Sequence, residues 1–389
     1  MKEYPLVQLG TLISQAKTVR CGEADYPVLS MTMHNGLVFQ DEKFKKVIAS
    51  KDRSNYKVVC RNQLVISFPI DEGVLAAQRI TDIGIVSPAY GIWDIDQEKV
   101  LPEFLEYALR CERALHYYKS KLRGSTARRR SLPTPTLLAF TIPLPSIDEQ
   151  LHILEIVHKV KDVIDKREKE INYLDELVKA RFVEMFEKES DQWHHKKLVE
   201  CCDNKNDIKC GPFGSQLHVE DYQNIGVPVY GIPEVNSGFK SNPKLYISQQ
   251  KAEELSAYSL IDGDVAVSRK GNVGQAALFH DSLKNGIIHS DVLRVRLNKQ
   301  IMDPLFLIGE LHFSQSIRNQ VKQASNGAIM PGTNVTKLKQ IVVDIPPLAI
   351  QKEFSGFIQQ VEKSKVAINR CTVIIGKALQ SGYHYVWGN

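Results

Sequence analysis

Along one stretch of the chain, apolar side chains recur at alternating steps of four and three: Ile153, Val157, Val160, Ile164, Arg167, Ile171, Leu174, Val178, Arg181 and Met185. That alternation is a heptad seam, and it predicts a long helix over about residues 147–189. At an offset of 201 residues, Phe354, Ile358, Val361, Lys365, Ile368, Thr372, Ile375 and Leu379 keep the same register through several polar interruptions. They predict a second long helix over about 349–382. Elsewhere the period is shorter. Residues 57–68, 265–268 and 287–297 are β-branched runs broken by Gly, Asn and Pro, as short strands are. A helical stretch follows each set, opening at Pro102 and Pro304, where proline suits a first turn.

The offset is not confined to the seam. It lays Pro27-Val28 on Pro228-Val229, the run 64–67 (LVIS) on 265–268 (VAVS), and Pro145, Ile147 and Gln150 on Pro346, Leu348 and Gln351. One residue of slippage adds Ile85-Val86 with Ile287-Ile288, and the run 102–105 (PEFL) with 304–307 (PLFL). The shared order makes the chain two diverged copies of one unit. We expect an α+β architecture: globular parts at 1–146 and 193–348, and long helices at 147–192 and 349–389. A seam of about 40 residues projects roughly 60 Å, beyond one domain's width. Two such helices packed antiparallel give the copies a pseudo-two-fold relation.

With 389 residues, 43% hydrophobic and 24% charged, the chain has ordinary globular composition. No apolar run approaches the length of a membrane span, and the start MKEYPLVQLG carries no basic segment leading into an apolar one. A cytoplasmic protein is expected. Seven cysteines in no CxxC spacing fit a reducing compartment. His194-His195 lie near Cys201-Cys202, but their spacing is poor for a metal site. The net charge of +5 permits a polyanionic partner without demanding one, and the distribution is more telling. Residues 113–147 contain no acid but hold Arg113, Lys119, Lys121, Arg123, Arg128, Arg129 and Arg130. A second acid-free stretch, 311–343, holds Arg318, Lys322, Lys337 and Lys339. Either stretch alone could be a solvated face. Their corresponding places in two copies favour a pair of DNA-facing flanks.

The segments 142–150 (IPLPSIDEQ) and 342–354 (VVDIPPLAIQKEF), each leading into a heptad helix, resemble the two conserved regions of type I restriction-modification specificity (S) subunits. In the second copy, 210–217 (CGPFGSQL), 227–230 (VPVY) and 262–275 (DGDVAVSRKGNVGQ) resemble that family's target recognition domains. The first copy has no GPFGS-like loop, and it places Ser67-Phe68-Pro69 where the second has Ser268-Arg269-Lys270. The resemblance implies a non-catalytic, sequence-specific DNA-binding subunit that recruits methyltransferase (M) subunits, two in number. The M subunits would carry S-adenosylmethionine. Restriction (R) subunits, with ATP- and Mg-dependent activity, would join in the full complex. In keeping with that, the sequence has no GxxxxGK[ST] phosphate loop, no Asn/Asp-Pro-Pro-aromatic motif and no glycine-rich methyl-donor turn.

The candidate DNA contacts follow. Lys121, Arg123, Arg128, Arg129 and Arg130 suit phosphates, since adjacent guanidinium groups clamp charge more readily than they encode bases. Ser215 and Gln216 sit on a glycine loop that presents backbone N–H groups or is an ordinary turn. Arg269, Lys270 and Asn272 close a strand, and an arginine there can bridge guanine O6 and N7. Asn326 pairs with adenine or belongs to the turn before Gly327. Arg167 and Arg181 on the seam read as snorkelling stems. Two unlike copies should read an asymmetric, bipartite target. The same architecture could serve another multisubunit DNA-modification or defence system, or a coiled-coil scaffold without DNA.

Overall fold

The computed structural model describes residues 4–33, 35–43, 53–122, 132–188, 192–270, 274–325 and 333–387. It divides into two compact units, unit 1 comprising Met1–Arg167 with Arg370–Asn389 and unit 2 comprising Glu168–Asn369. Both division points fall inside long helices, the central helix Ile147–Phe182 and the terminal helix Leu348–Trp387. The terminal helix runs on past the expected 382.

The repeat is reproduced in the main sheet of each unit. Unit 1 holds an antiparallel sheet in the order Ile13–Gln15, Gly91–Ile95, Leu64–Ile66, Leu75–Ala77. Unit 2 holds Ile208–Cys210, Val292–Val295, Val265–Ser268, Ala276–Leu278 in the same order. A parallel pairing also recurs, Val28 with Ile85 in unit 1 and Val229 with Ile287 in unit 2. Successive strand residues point to opposite faces, and here both faces are covered. Val265 and Val267 enter one hydrophobic cluster while Ala266 enters another. Leu64 and Val65 divide in the same way.

A buried glutamine fixes each long helix to its globular part. The Gln150 Oε1 accepts the Leu101 N–H at 2.8 Å, and its Nε2 donates to the carbonyls of Lys99 and Pro145, both at 2.9 Å. Gln351 repeats the set: Oε1 accepts the Asp303 N–H at 2.8 Å, and Nε2 donates to Ile301 at 3.1 Å and Pro346 at 2.8 Å. An amide has the acceptor and paired donors this junction needs. Its neighbours Pro102 and Pro304 open the adjoining helices.

All the seam positions read from the sequence are buried or half-buried. In unit 2 the two helical stretches run antiparallel, since Asp175 pairs with Lys365 and Arg181 with Glu353. The Arg181 guanidinium thus bridges the helices, and also pairs with Glu184, beyond covering apolar surface with its stem. In unit 1, Ile153 and Leu154 share a cluster with Val386 and Trp387. Two aromatic groups anchor the ends. Phe186, on a π turn at Val183–Glu187, packs on Phe306 and Phe354 at 4.8 and 5.4 Å. The Trp387 ring lies 5.2 Å from Phe104. Among the described residues, no helix is long and apolar enough to cross a membrane.

Candidate nucleic-acid interface

The corner of unit 2 where Val265–Ser268 ends collects several of the expected residues. The loop from Gly211 passes tightly over the neighbouring backbone: a Cβ at Gly211 would fall 2.3 Å from the His289 carbonyl oxygen. Only glycine fits there. The chain then turns, with the Gln216 and Leu217 N–H groups both donating to the Phe213 carbonyl at 2.8 and 3.1 Å. Buried Leu217 anchors the turn, while Phe213, Ser215 and Gln216 stay exposed. Gln216 is partly engaged, its Oε1 accepting the Tyr258 hydroxyl at 2.7 Å.

Arg269 is half-buried and occupied. Its Nε donates to the Thr333 carbonyl at 3.3 Å, and its Nη1 to the Ser290 carbonyl at 3.1 Å and the Cys210 sulfur at 3.3 Å. The guanidinium also lies 5.7 Å from the centroid of the Phe213 ring. Burial pushes the Cys210 thiol up, so it stays protonated and donates to Ser290 at 3.1 Å. Lys270 is the exposed cation of the corner, and it pairs with Asp291 at 2.7 Å. Beside it, His289 Nδ1 accepts the Asp291 N–H at 3.2 Å. His289 and Asp291 line a cavity of about 390 Å³ with Val229, Ile232, Lys244 and Leu245.

In unit 1 the matching strand, Leu64–Ile66, is followed by Ser67 and Phe68. Here the Phe68 ring is exposed, and a cavity of about 180 Å³ opens beside it, lined by Ala89, Trp93, Leu132 and Leu137 among others. Leu132 lies 201 residues before Thr333, whose carbonyl accepts from Arg269.

Of the remaining expected contacts, Lys121 is exposed at the end of the helix Glu112–Lys121. Arg123, Arg128, Arg129, Arg130, Asn272 and Asn326 lie outside the described residues. Two arginines counted in the basic stretches have partners within their own unit: Arg113 donates to the Trp387 and Thr141 carbonyls, and Arg318 to that of Phe313. The histidine and cysteine pairs do not converge. His195 pairs with Asp344 at 2.8 Å, and burial pushes the Cys201 and Cys202 thiols up to about 11 and about 12. Sequence reasoning missed Phe213, Asp291 and the exposure of Phe68. Only the glycines flanking residues 212–213 hinted at the first.

Comparison with known proteins adds a family to this geometry. Residues 191–375 match the type I restriction modification DNA specificity domain. A putative type I restriction enzyme MjaX specificity subunit from Methanocaldococcus jannaschii is 27% identical over 160 residues, 40% of this chain. The match spans 37% of that relative's length. A chain from a study of complex assembly and conformational transition of the type I R-M system shares the fold, with a TM-score of 0.64 at 16% identity, covering 99% of this chain and 97% of that one. So does the S subunit of a type I restriction-modification system from M. genitalium, with a TM-score of 0.52 at 12% identity, covering 98% and 94%.

Proposed function

From the premise that the chain carries a type I restriction modification DNA specificity domain and the fold of the specificity subunits, we propose that it is the DNA-recognition subunit of a type I restriction-modification complex. The observation that carries this reading is the family match over residues 191–375, joined to a repeat that builds the same sheet order in unit 1. Each unit reads one half of an asymmetric, bipartite target. Lys270, Ser215, Gln216 and Asn272 contact the duplex in unit 2, together with Asn326, while Lys121, Arg123 and Arg128–Arg130 hold phosphates in unit 1. Arg269 acts through Phe213: with its donors bonded to carbonyls and a thiol, it positions the loop rather than bridging a guanine.

The chain is non-catalytic in this reading. Two methyltransferase subunits supply the S-adenosylmethionine site, and restriction subunits supply the ATP- and Mg-dependent steps. The decisive experiment maps methylated bases in host DNA with and without the gene for this chain. A bipartite methylated motif that vanishes on deletion is expected. An unchanged methylome, in a host where the partner subunits are expressed and active, overturns the reading.

A further inference from the structure

Among the described residues, Phe68 and Phe213 are the exposed phenylalanines, at 51% and 55%. A single exposed apolar side chain needs no explanation. Two that fall at the same corner of diverged repeats do. Phe68 occupies the place that Arg269 holds in unit 2, and Arg269 carries the Phe213 ring on its guanidinium. Each unit therefore presents one phenyl ring where its central strand ends, although the two rings come from different segments. The side chain at the aligned position has changed and the ring has been kept.

Both rings are supported from behind. Phe213 rests on an arginine that is bonded to three groups, in a loop whose approach requires Gly211. Phe68 lines the lip of the cavity walled by Trp93, Leu132 and Leu137. A ring held this way loses little freedom on binding. It offers the apolar surface that the C5-methyl of thymine meets in a major groove. A wedge driven between base pairs would have to leave its support, so an edge contact fits the geometry better than intercalation.

Resting on the reading that both units bind duplex DNA, we propose that Phe68 and Phe213 are specificity-determining rings, each packed against a thymine methyl in its own half-site. The test uses the chain in complex with its methyltransferase subunits. The wild type, Phe68→Ala and Phe213→Ala each select sites from a pool of random duplexes. The selected sites are then remade with deoxyuridine at single thymines. For the wild type, one methyl in each half-site should be worth about fourfold in affinity, the contribution of one buried methyl. F68A should lose that sensitivity in one half-site only, and F213A in the other. Both positions are exposed, so folding should survive, and thermal unfolding checks it. Unchanged methyl sensitivity in the variants overturns the assignment but leaves the recognition reading standing, provided the wild type selects a bipartite site. So does relaxation of both half-sites by one variant, or a ring-dependent rise in 2-aminopurine fluorescence that marks an unstacked step. A wild-type complex that selects no bipartite site overturns both.

Discussion

In unit 2 the residue after Ser268 is an arginine whose guanidinium is bonded to the Thr333 and Ser290 carbonyls and to Cys210, beside an exposed lysine paired with Asp291. In unit 1 the residue after Ser67 is Phe68, exposed beside a cavity of about 180 Å³. The sheet order beneath the two corners is the same. What differs is where charge is kept. The first copy moves it to the run 128–130, and the second has the uncharged residues 326–331 at the corresponding place. A common frame can thus carry different contacts at its ends, because the sheet order and the glutamine junctions are the same in both units.

That division makes its largest prediction for salt. If Arg128, Arg129 and Arg130 each neutralise a phosphate, triple alanine should flatten the log–log dependence of affinity on salt by about 2.7, three times the contribution of one contact. Asn326→Ala should leave the slope alone. Anisotropy titrations of the complex on target duplex over a range of salt check both. An unchanged slope for the triple variant removes the clamp from unit 1.

The shared frame should respond equally in both units. Gln150→Leu or Gln351→Leu removes three hydrogen bonds and leaves a buried N–H and carbonyls unpaired, at a cost of about 3 kcal/mol in each unit. Fluorine NMR of fluorotryptophan-labelled protein in urea separates the two, with Trp93 reporting unit 1 and Trp193 unit 2. A large loss in one unit and none in the other would mean the junctions are not equivalent.

The corners should respond unequally. Arg269→Ala should destabilise unit 2 by about 2 kcal/mol, as expected for charge-assisted bonds in a half-buried site. Phe68→Ala, which removes an exposed ring, should change unit 1 by less than about 0.5 kcal/mol. The same labelled tryptophans read both variants, and equal effects would break the contrast.

The frame was legible in the sequence because it is written in local periods. The heptad seam shows at spacings of three and four, and the repeat offset alone lays Gln150 on Gln351. The role of those glutamines was not legible. Their partners Lys99 and Ile301 lie 51 and 50 residues away, and nothing local marks the pairing. The same limit hid the corner. Arg269 read as a free base contact because it ends a strand and precedes Gly271-Asn272, while its partners Cys210, Ser290 and Thr333 arrive from three other segments. Burial of a long side chain is a property of the fold, and residue type alone does not carry it.

The smallest expected effect separates the units by pH. The helices at Pro102 and Pro304 place Ala108 in unit 1 where unit 2 has Glu310. Both are buried, but Glu310 is a carboxyl with its Oε2 lacking a hydrogen-bond partner. Burial pushes its pKa well above the ordinary glutamate value, and nearby Asp344 and Glu187 add to the shift. Folded unit 2 therefore binds this proton more tightly than the unfolded chain does. Its contribution is fully present below the ordinary glutamate range and is lost as pH rises toward the raised value. Glu310→Gln, neutral throughout, should remove that downward slope. The Trp193 urea midpoint should then fall less from acid toward neutral pH than in the wild type, while the Trp93 midpoint keeps its wild-type profile. His195 pairs with Asp344, so His195→Gln serves as the control and should leave the Glu310 slope in place. If Glu310→Gln left the Trp193 profile unchanged, the buried carboxyl would not be the source of the difference between the units.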